Sequence, residues 1–180
     1  MPVINSIKNI IRQRFEQELE SIISDLRDEI KQQGHSATGS LERSLEFAIS
    51  DGEKDGFLGV IFGSDYWRPL ETGVSASRIP YTPGSKSGKR TSKYIGGLLD
   101  WAAVVRPELS EKERRSFVFA VATIQSREGN PTRGSYSFSR NGERKNFVQR
   151  TLDKHINKLS AKIAGGDLAN RLAAEMLKAA

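Results

Sequence analysis

Ile4, Ile7, Ile11, Phe15, Leu19, Ile22, Leu26 and Ile30 follow one another at steps of three or four residues. A helix gathers such a set on one face, because its repeat is 3.6 residues. The spacing predicts one helix over residues 3–33, with Pro2 or Asn5 near its start and Gly34 after its end. At 1.5 Å per residue that helix is ~45 Å long. The core of one small domain does not cover such a length, so part of the stripe is expected to pack on another subunit. The 180 residues make one domain at ~150 residues per domain. The expected division is residues 1–164 as the body and 165–180 as a C-terminal helical extension.

After this helix the period changes. Residues 34–40 read as a turn-rich linker. Leu45, Phe47 and Ile49 then alternate with polar or small residues, and 57–62 make a return strand beyond a Gly-rich connection, the pattern of a β-hairpin. Asp65 is expected to cap a short helix through Tyr66, Trp67, Leu70 and Glu71 that stops at Gly73. Residues 74–94 have no hydrophobic period and read as a basic, mobile loop. A helix follows through Ile95, Leu98, Leu99, Ala102 and Val105. Ser110 and Glu113 form a capping-box pattern opening a helix through Phe117, Val118, Val121 and Ile124, apolar nearly all round and expected at the centre of the core. Tyr136 and Phe138 alternate with serines ahead of Asn141-Gly142, which predicts a short exposed hairpin over 132–145. A helix resumes at Asn146 and breaks at Gly165-Gly166, and Asp167 would cap a last one. The class is α+β: a small antiparallel sheet packed on the long N-terminal helix and a central helix.

Chemistry-bearing residues are few. There is no cysteine, which removes disulfides, thiolate metal sites and a cysteine nucleophile. The two histidines, His35 in the linker and His155 on a basic helix, read as surface residues. Gly84-Ser-Lys-Ser-Gly88-Lys89-Arg90 fails as a phosphate loop. Only three residues separate its glycines, and arginine stands where magnesium binding needs Ser or Thr. Glu42 with Glu46, and Asp25 with Asp28 or Glu29, lie among cations with no pocket signature and read as solvated charge. No catalytic residue, metal ligand or cofactor site is expected. The longest apolar run, 117–124, is far short of the ~20 residues of a membrane helix, and the first residues do not resemble a secretory leader. The reading is a soluble chain of a reducing cytoplasm.

Lys and Arg number 28 against 22 Asp and Glu, a net charge of +6. The excess is local. Arg78, Lys86, Lys89, Arg90 and Lys93 lie in a stretch without an acid. Arg127, Arg133, Arg140, Arg144, Lys145 and Arg150 surround Tyr136 and Phe138. Cations interleaved with aromatics can follow a phosphate backbone, which keeps a sequence-independent nucleic-acid-binding protein as the alternative reading.

The order of these features resembles a bacteriophage family, the tail-completion or minor tail component proteins of the neck, the lambda Z-like group. The resemblance rests on three motifs over residues 1–155. Thr38-Gly39-Ser40-Leu41-Glu42-Arg43-Ser44 matches a Thr-Gly-x-Leu-x-x-Ser segment after a long helix. Tyr66 to Glu71 and Gly73 match Tyr-x-x-x-x-Glu-x-Gly. Phe147 leads the aromatic-headed C-terminal helix. The chain departs in the length of its 74–94 loop, in lacking a proline before the last matched helix, and in running on past Gly166. The resemblance implies a non-enzymatic virion structural protein. Its copies form a ring that joins the tail to the head connector around a DNA channel. Implied partners are further copies of the chain, portal-side connector proteins, tail-tube or tail-terminator proteins, and in passing the genome. The implied location is the virion, with assembly in the host cytoplasm. The basic residues named above are then candidate contacts with neighbours or with DNA.

Overall fold

The computed structural model describes residues 2–52, 56–84 and 92–164. The elements are helix α1 (Pro2–Gln32), helix α2 (Ser40–Arg43), strands β1 (Glu46–Asp51) and β2 (Phe57–Phe62), and helices α3 (Trp67–Thr72), α4 (Lys93–Val105), α5 (Glu111–Glu128) and α6 (Phe147–Ala164). Two 3-10 turns, Ala76–Arg78 and Arg133–Phe138, complete them. The class is α+β, with a long N-terminal helix, a two-stranded antiparallel sheet and helices toward the C-terminus. The chain folds as two compact units, and α1 passes from the first to the second after Glu29.

The first unit holds most of α1, the hairpin and α6. In it α1 buries Leu19, Ile23 and Leu26. The stripe is turned slightly from the expected one, since Ile23 rather than Ile22 is fully covered. Ile11 is still exposed, in keeping with a helix longer than its cover. The strands pair in one unbroken register from Glu46↔Phe62 to Asp51↔Phe57. Their alternation puts Phe47, Ile49, Phe57, Gly59 and Ile61 on the half-buried face. That face lies against α1: a Cβ added at Gly59 would come within 3.0 Å of Leu19 and Phe15. Two hydrogen bonds fix the base of the hairpin, Ser64 N to Ser44 Oγ at 2.9 Å and Arg27 Nη2 to the Leu45 carbonyl at 3.0 Å.

The second unit is built on α4 and α5. Ile95, Ala102, Val118 and Ala122 form its buried centre, with Tyr81, Tyr94, Leu98, Leu99 and Phe117 packed around them. Each large apolar side chain buried here contributes about 1.5–3 kcal/mol. Ser92 caps α4 through the Ile95 N–H, and both halves of the Ser110–Glu113 capping box are formed. The expectation that the 117–124 run lies at the centre of the core holds for Val118 and Ala122 and is corrected for Phe119 and Ile124, which are each 46 % exposed. With α4 along one side, α5 buries Val118 and Ala122, one turn apart, and leaves other apolar residues wet.

Three further expectations are corrected. The N-cap of α3 is Tyr66, without a side-chain cap, and not Asp65. Residues 132–145 form no hairpin; Arg133–Phe138 is a 3-10 turn. Its serines bond locally, Ser135 Oγ to the Thr132 carbonyl and Ser137 Oγ to that of Gly134, and such bonds compete with a strand ladder. The described part of the 74–94 stretch is no free arm. Val74 makes a two-way bridge with Asn130, Ala76–Arg78 turns tightly, and Tyr81 packs on the α4–α5 core. Lys93 already belongs to α4. The rest of that loop and the expected last helix lie outside the described residues.

Candidate functional site

Two polar assemblies hold some of the residues that the sequence singled out. The first, in the second unit, is built around Arg144. Its guanidinium Nη1 donates to the carbonyls of Gln33 and Gly34 at 2.7 and 3.2 Å. The Gln33 side-chain amide donates back to the Lys145 carbonyl at 3.0 Å, and the His35 ring meets the Arg144 carbonyl at 3.2 Å. Arg140 N donates to the Gln32 carbonyl, and Asn146 N to that of Glu71. The segment after α1 and the segment before α6 are thus laced together. Burial pushes the Arg144 guanidinium below its ordinary range, opposed by the neighbouring Tyr66 and Tyr136. Burial, with the Arg144 charge second, lowers His35 to about 4. His35 is therefore a half-buried neutral ring and not the surface histidine expected.

Beside this brace, the Val74–Asn130 bridge closes the loop with N···O distances of 2.7 and 2.8 Å. Gly73 and Gly129 flank it with φ of 74° and 84°. A Cβ at Gly129 would lie 2.4 Å from the Val74 carbonyl oxygen, and one at Gly73 would lie 2.9 Å from that of Asn130. Only glycine fits both the torsion and the approach.

The second assembly, in the first unit, is an ionic seam between α1 and α6. Glu29, 1 % exposed, receives Arg150 Nε at 3.1 Å and Lys154 Nζ at 3.4 Å. His155, 4 % exposed, places Nδ1 at 2.7 Å from Glu18 and Nε2 at 2.9 Å from Asp25, which Lys158 also approaches. The expectation of a surface His155 is corrected. Asp25 and Glu29, read as solvated charge, are paired across the seam. Glu18 and Asp25 sit on opposite edges of the ring, so the three do not converge on one point. Among the described residues no group of three or more His, Cys, Asp or Glu side chains is placed to hold a metal ion.

The motif residues divide between turns and core. Thr38 bonds through its hydroxyl to Ser40 and accepts Arg43 at its carbonyl. Gly39, at φ 66°, leads into α2, an element absent from the sequence reading, whose linker ended at Ser40. Leu41, Leu70 and Phe147 are buried. Tyr66 is exposed. Ser44 ties the hairpin base, and Glu71 lends its carbonyl to Asn146.

The basic candidates separate sharply. Arg78, Lys93, Arg133 and Arg140 are exposed; Arg144 and Lys145 are partly buried. Lys86, Lys89 and Arg90 lie outside the described residues. Phe138 is 75 % exposed, with Tyr136 on the same turn. An open groove of about 380 Å³ lies along α1 and β1, lined by Glu20, Ile23, Arg27, Leu45, Glu46 and Phe47. Among the described residues no helix is long and apolar enough to cross a membrane.

Sequence reading missed the seam, although a signal was present. Glu18, Asp25 and Glu29 recur at seven and four residues along α1, and Arg150, Lys154 and Lys158 at four along α6. Both spacings keep one helix face. Compared with protein-family models, curated proteins and solved structures, the chain has no match.

Proposed function

We propose that the chain is a structural subunit of a phage neck, assembling as a ring that joins the tail to the head connector around the DNA. The observation that carries this reading is the meeting of two separate motif segments in one network. Glu71 and Gly73 of the Tyr-x-x-x-x-Glu-x-Gly segment lie against Asn146 and Lys145, at the entry to the Phe147 helix. Residues matched far apart in sequence thus do one architectural job. A ring also suits a chain whose described polar clusters hold its own segments and helices together while apolar side chains stay exposed on the hairpin, α4 and α5. Head-to-tail contacts that close by rotation generate such rings.

The test is native mass spectrometry with electron microscopy of the purified chain. Annular particles of uniform copy number are expected. A monomer at all accessible concentrations that also fails to join purified tail or capsid assemblies would overturn the reading.

A second reading rests on Phe138, Tyr136 and Arg133, which present exposed aromatic and cationic groups on one turn, and on the exposed Arg140 just after it. On that reading the chain is a sequence-independent nucleic-acid binder. Tight binding by a monomer that falls steeply with salt would favour it.

A further inference from the structure

The β-hairpin leaves a face and two edges without partners among the described residues. Leu58, Val60 and Phe62 are 55, 40 and 53 % exposed, in a row along the outer face of β2. Beside them on β1 stand Ser50, Ala48 and Glu46. The backbone direction follows from the turn. Gly52 N donates to the Gly56 carbonyl at 2.8 Å, so bonded pairs alternate from there through 50/58, 48/60 and 46/62. Residues 57, 59 and 61 therefore turn their N–H and C=O groups away from β1, and residues 47, 49 and 51 turn theirs away from β2. No other described strand joins the sheet. A two-stranded sheet with an apolar outer row and open edges is a template for strand addition.

We propose that β1 of a second copy of this chain adds antiparallel to the free edge of β2, so that successive copies share a continuous sheet. This rests on the ring reading and deepens it by naming the subunit contact. Three observations select the second copy and the edges. First, β1 is already a demonstrated partner for the β2 sequence: the two pair over all six residues without a bulge. Second, the symmetric alternative through β1, whose outward backbone groups pair 49 with 49 and 47 with 51, is a two-fold contact that closes at a dimer. Third, pairing two β2 edges would merge two Leu58–Val60–Phe62 rows into one larger exposed apolar patch. Setting β1 against β2 instead alternates each row with Ser50, Ala48 and the stem of Glu46. Joining unlike edges is also the heterologous contact that a closed ring requires.

The chain has no cysteine, so single cysteines report contacts without background. Glu46→Cys, Ala48→Cys and Ser50→Cys, all on the outer face of β1, would each be oxidised alone and mixed with Val60→Cys in the full-length chain. In the proposed sheet, residues 46, 48 and 50 of one copy oppose 58, 60 and 62 of the next at non-bonded positions, where side chains lie closest. The expected result is a covalent dimer at least fivefold more abundant in one of the mixtures than in any single variant. Val60→Cys linking chiefly to itself would overturn the proposal in favour of a β2–β2 dimer. An annular native mass with no mixed cross-link would overturn it and leave the ring reading standing. A monomer with no cross-link would sink both. Val60→Lys, at an exposed position, should weaken association at least tenfold with helical circular dichroism unchanged. Unaltered association of that variant would count against the sheet.

Discussion

The contact of α1 with α6 and that of α4 with α5 join helices in opposite ways. Along α4 and α5 the buried residues Ile95, Ala102, Val118 and Ala122 are all apolar. Between α1 and α6 the named contacts are ionic: Glu29 with Arg150 and Lys154, and His155 between Glu18 and Asp25. An apolar contact adds stability in proportion to area and tolerates a slide of one side chain past the next. An ionic contact adds little net stability, because desolvation offsets attraction, but a wrong register leaves charges unpaired. The α4–α5 pair supplies cohesion, and the α1–α6 pair fixes position.

The largest expected effect breaks the apolar side. Val118→Asp puts a carboxylate at a position with no exposure and should cost about 4 kcal/mol or more, read as lost cooperative melting of the α4–α5 unit. The ionic side should respond less. Arg150→Ala with Lys154→Ala removes two cations from buried Glu29 and should cost about 3 kcal/mol. Glu29→Leu, which removes the buried charge itself, should stay within about 1.5 kcal/mol of wild type. If Glu29→Leu were the costlier of the two, the seam would be a source of cohesion and the contrast would fail.

A pH series sharpens the comparison in the Arg144 brace. His35 is lowered from 6.5 to about 4 by burial and by Arg144. The unfolded chain therefore binds the extra proton first as pH falls. The contribution of His35 is fully present above pH ~6.5 and is lost as pH drops toward 4, on the order of 2–3 kcal/mol. Chemical denaturation of wild type and His35→Gln across this range should show the extra slope in wild type alone. Equal slopes would remove His35 from the pH dependence.

The smallest effect separates two arginines that the sequence places in one basic cluster. Arg144→Ala removes donors to two carbonyls and should destabilise by about 2 kcal/mol. Arg140→Ala, at an exposed side chain, should change stability by less than about 0.5 kcal/mol. In a salt titration with DNA of several sequences, Arg140→Ala should lower a weak, sequence-indifferent affinity, while Arg144→Ala that remains folded should leave it within twofold. The reverse pattern would return Arg144 to the surface.

What could be read in advance follows from periodicity. The long helix, both strands, the short helix ending at Gly73, and the Ser110–Glu113 cap each carry a local signal. In each the residues that decide the conformation lie within a turn or two. Arg144 shows what local reading misses. Nothing around it distinguishes it from Arg140, since its partners are main-chain carbonyls more than a hundred residues earlier. Residues 133–138 misled for a related reason. Alternating Tyr and Phe among serines fits a strand, but the serine hydroxyls serve carbonyls three residues back.

The glycines on either side of the Val74–Asn130 bridge bear on how this chain can drift over generations. The space denied to a side chain at 129 is held by the carbonyl of Val74, and that denied at 73 by the carbonyl of Asn130. Each glycine is thus enforced by the opposite strand of the bridge, and a change at one creates no room at the other. No pair of single steps lets the two positions compensate. A lineage descending from this chain keeps both glycines or gives up the bridge, which makes their joint inheritance a record of whether the loop is still closed.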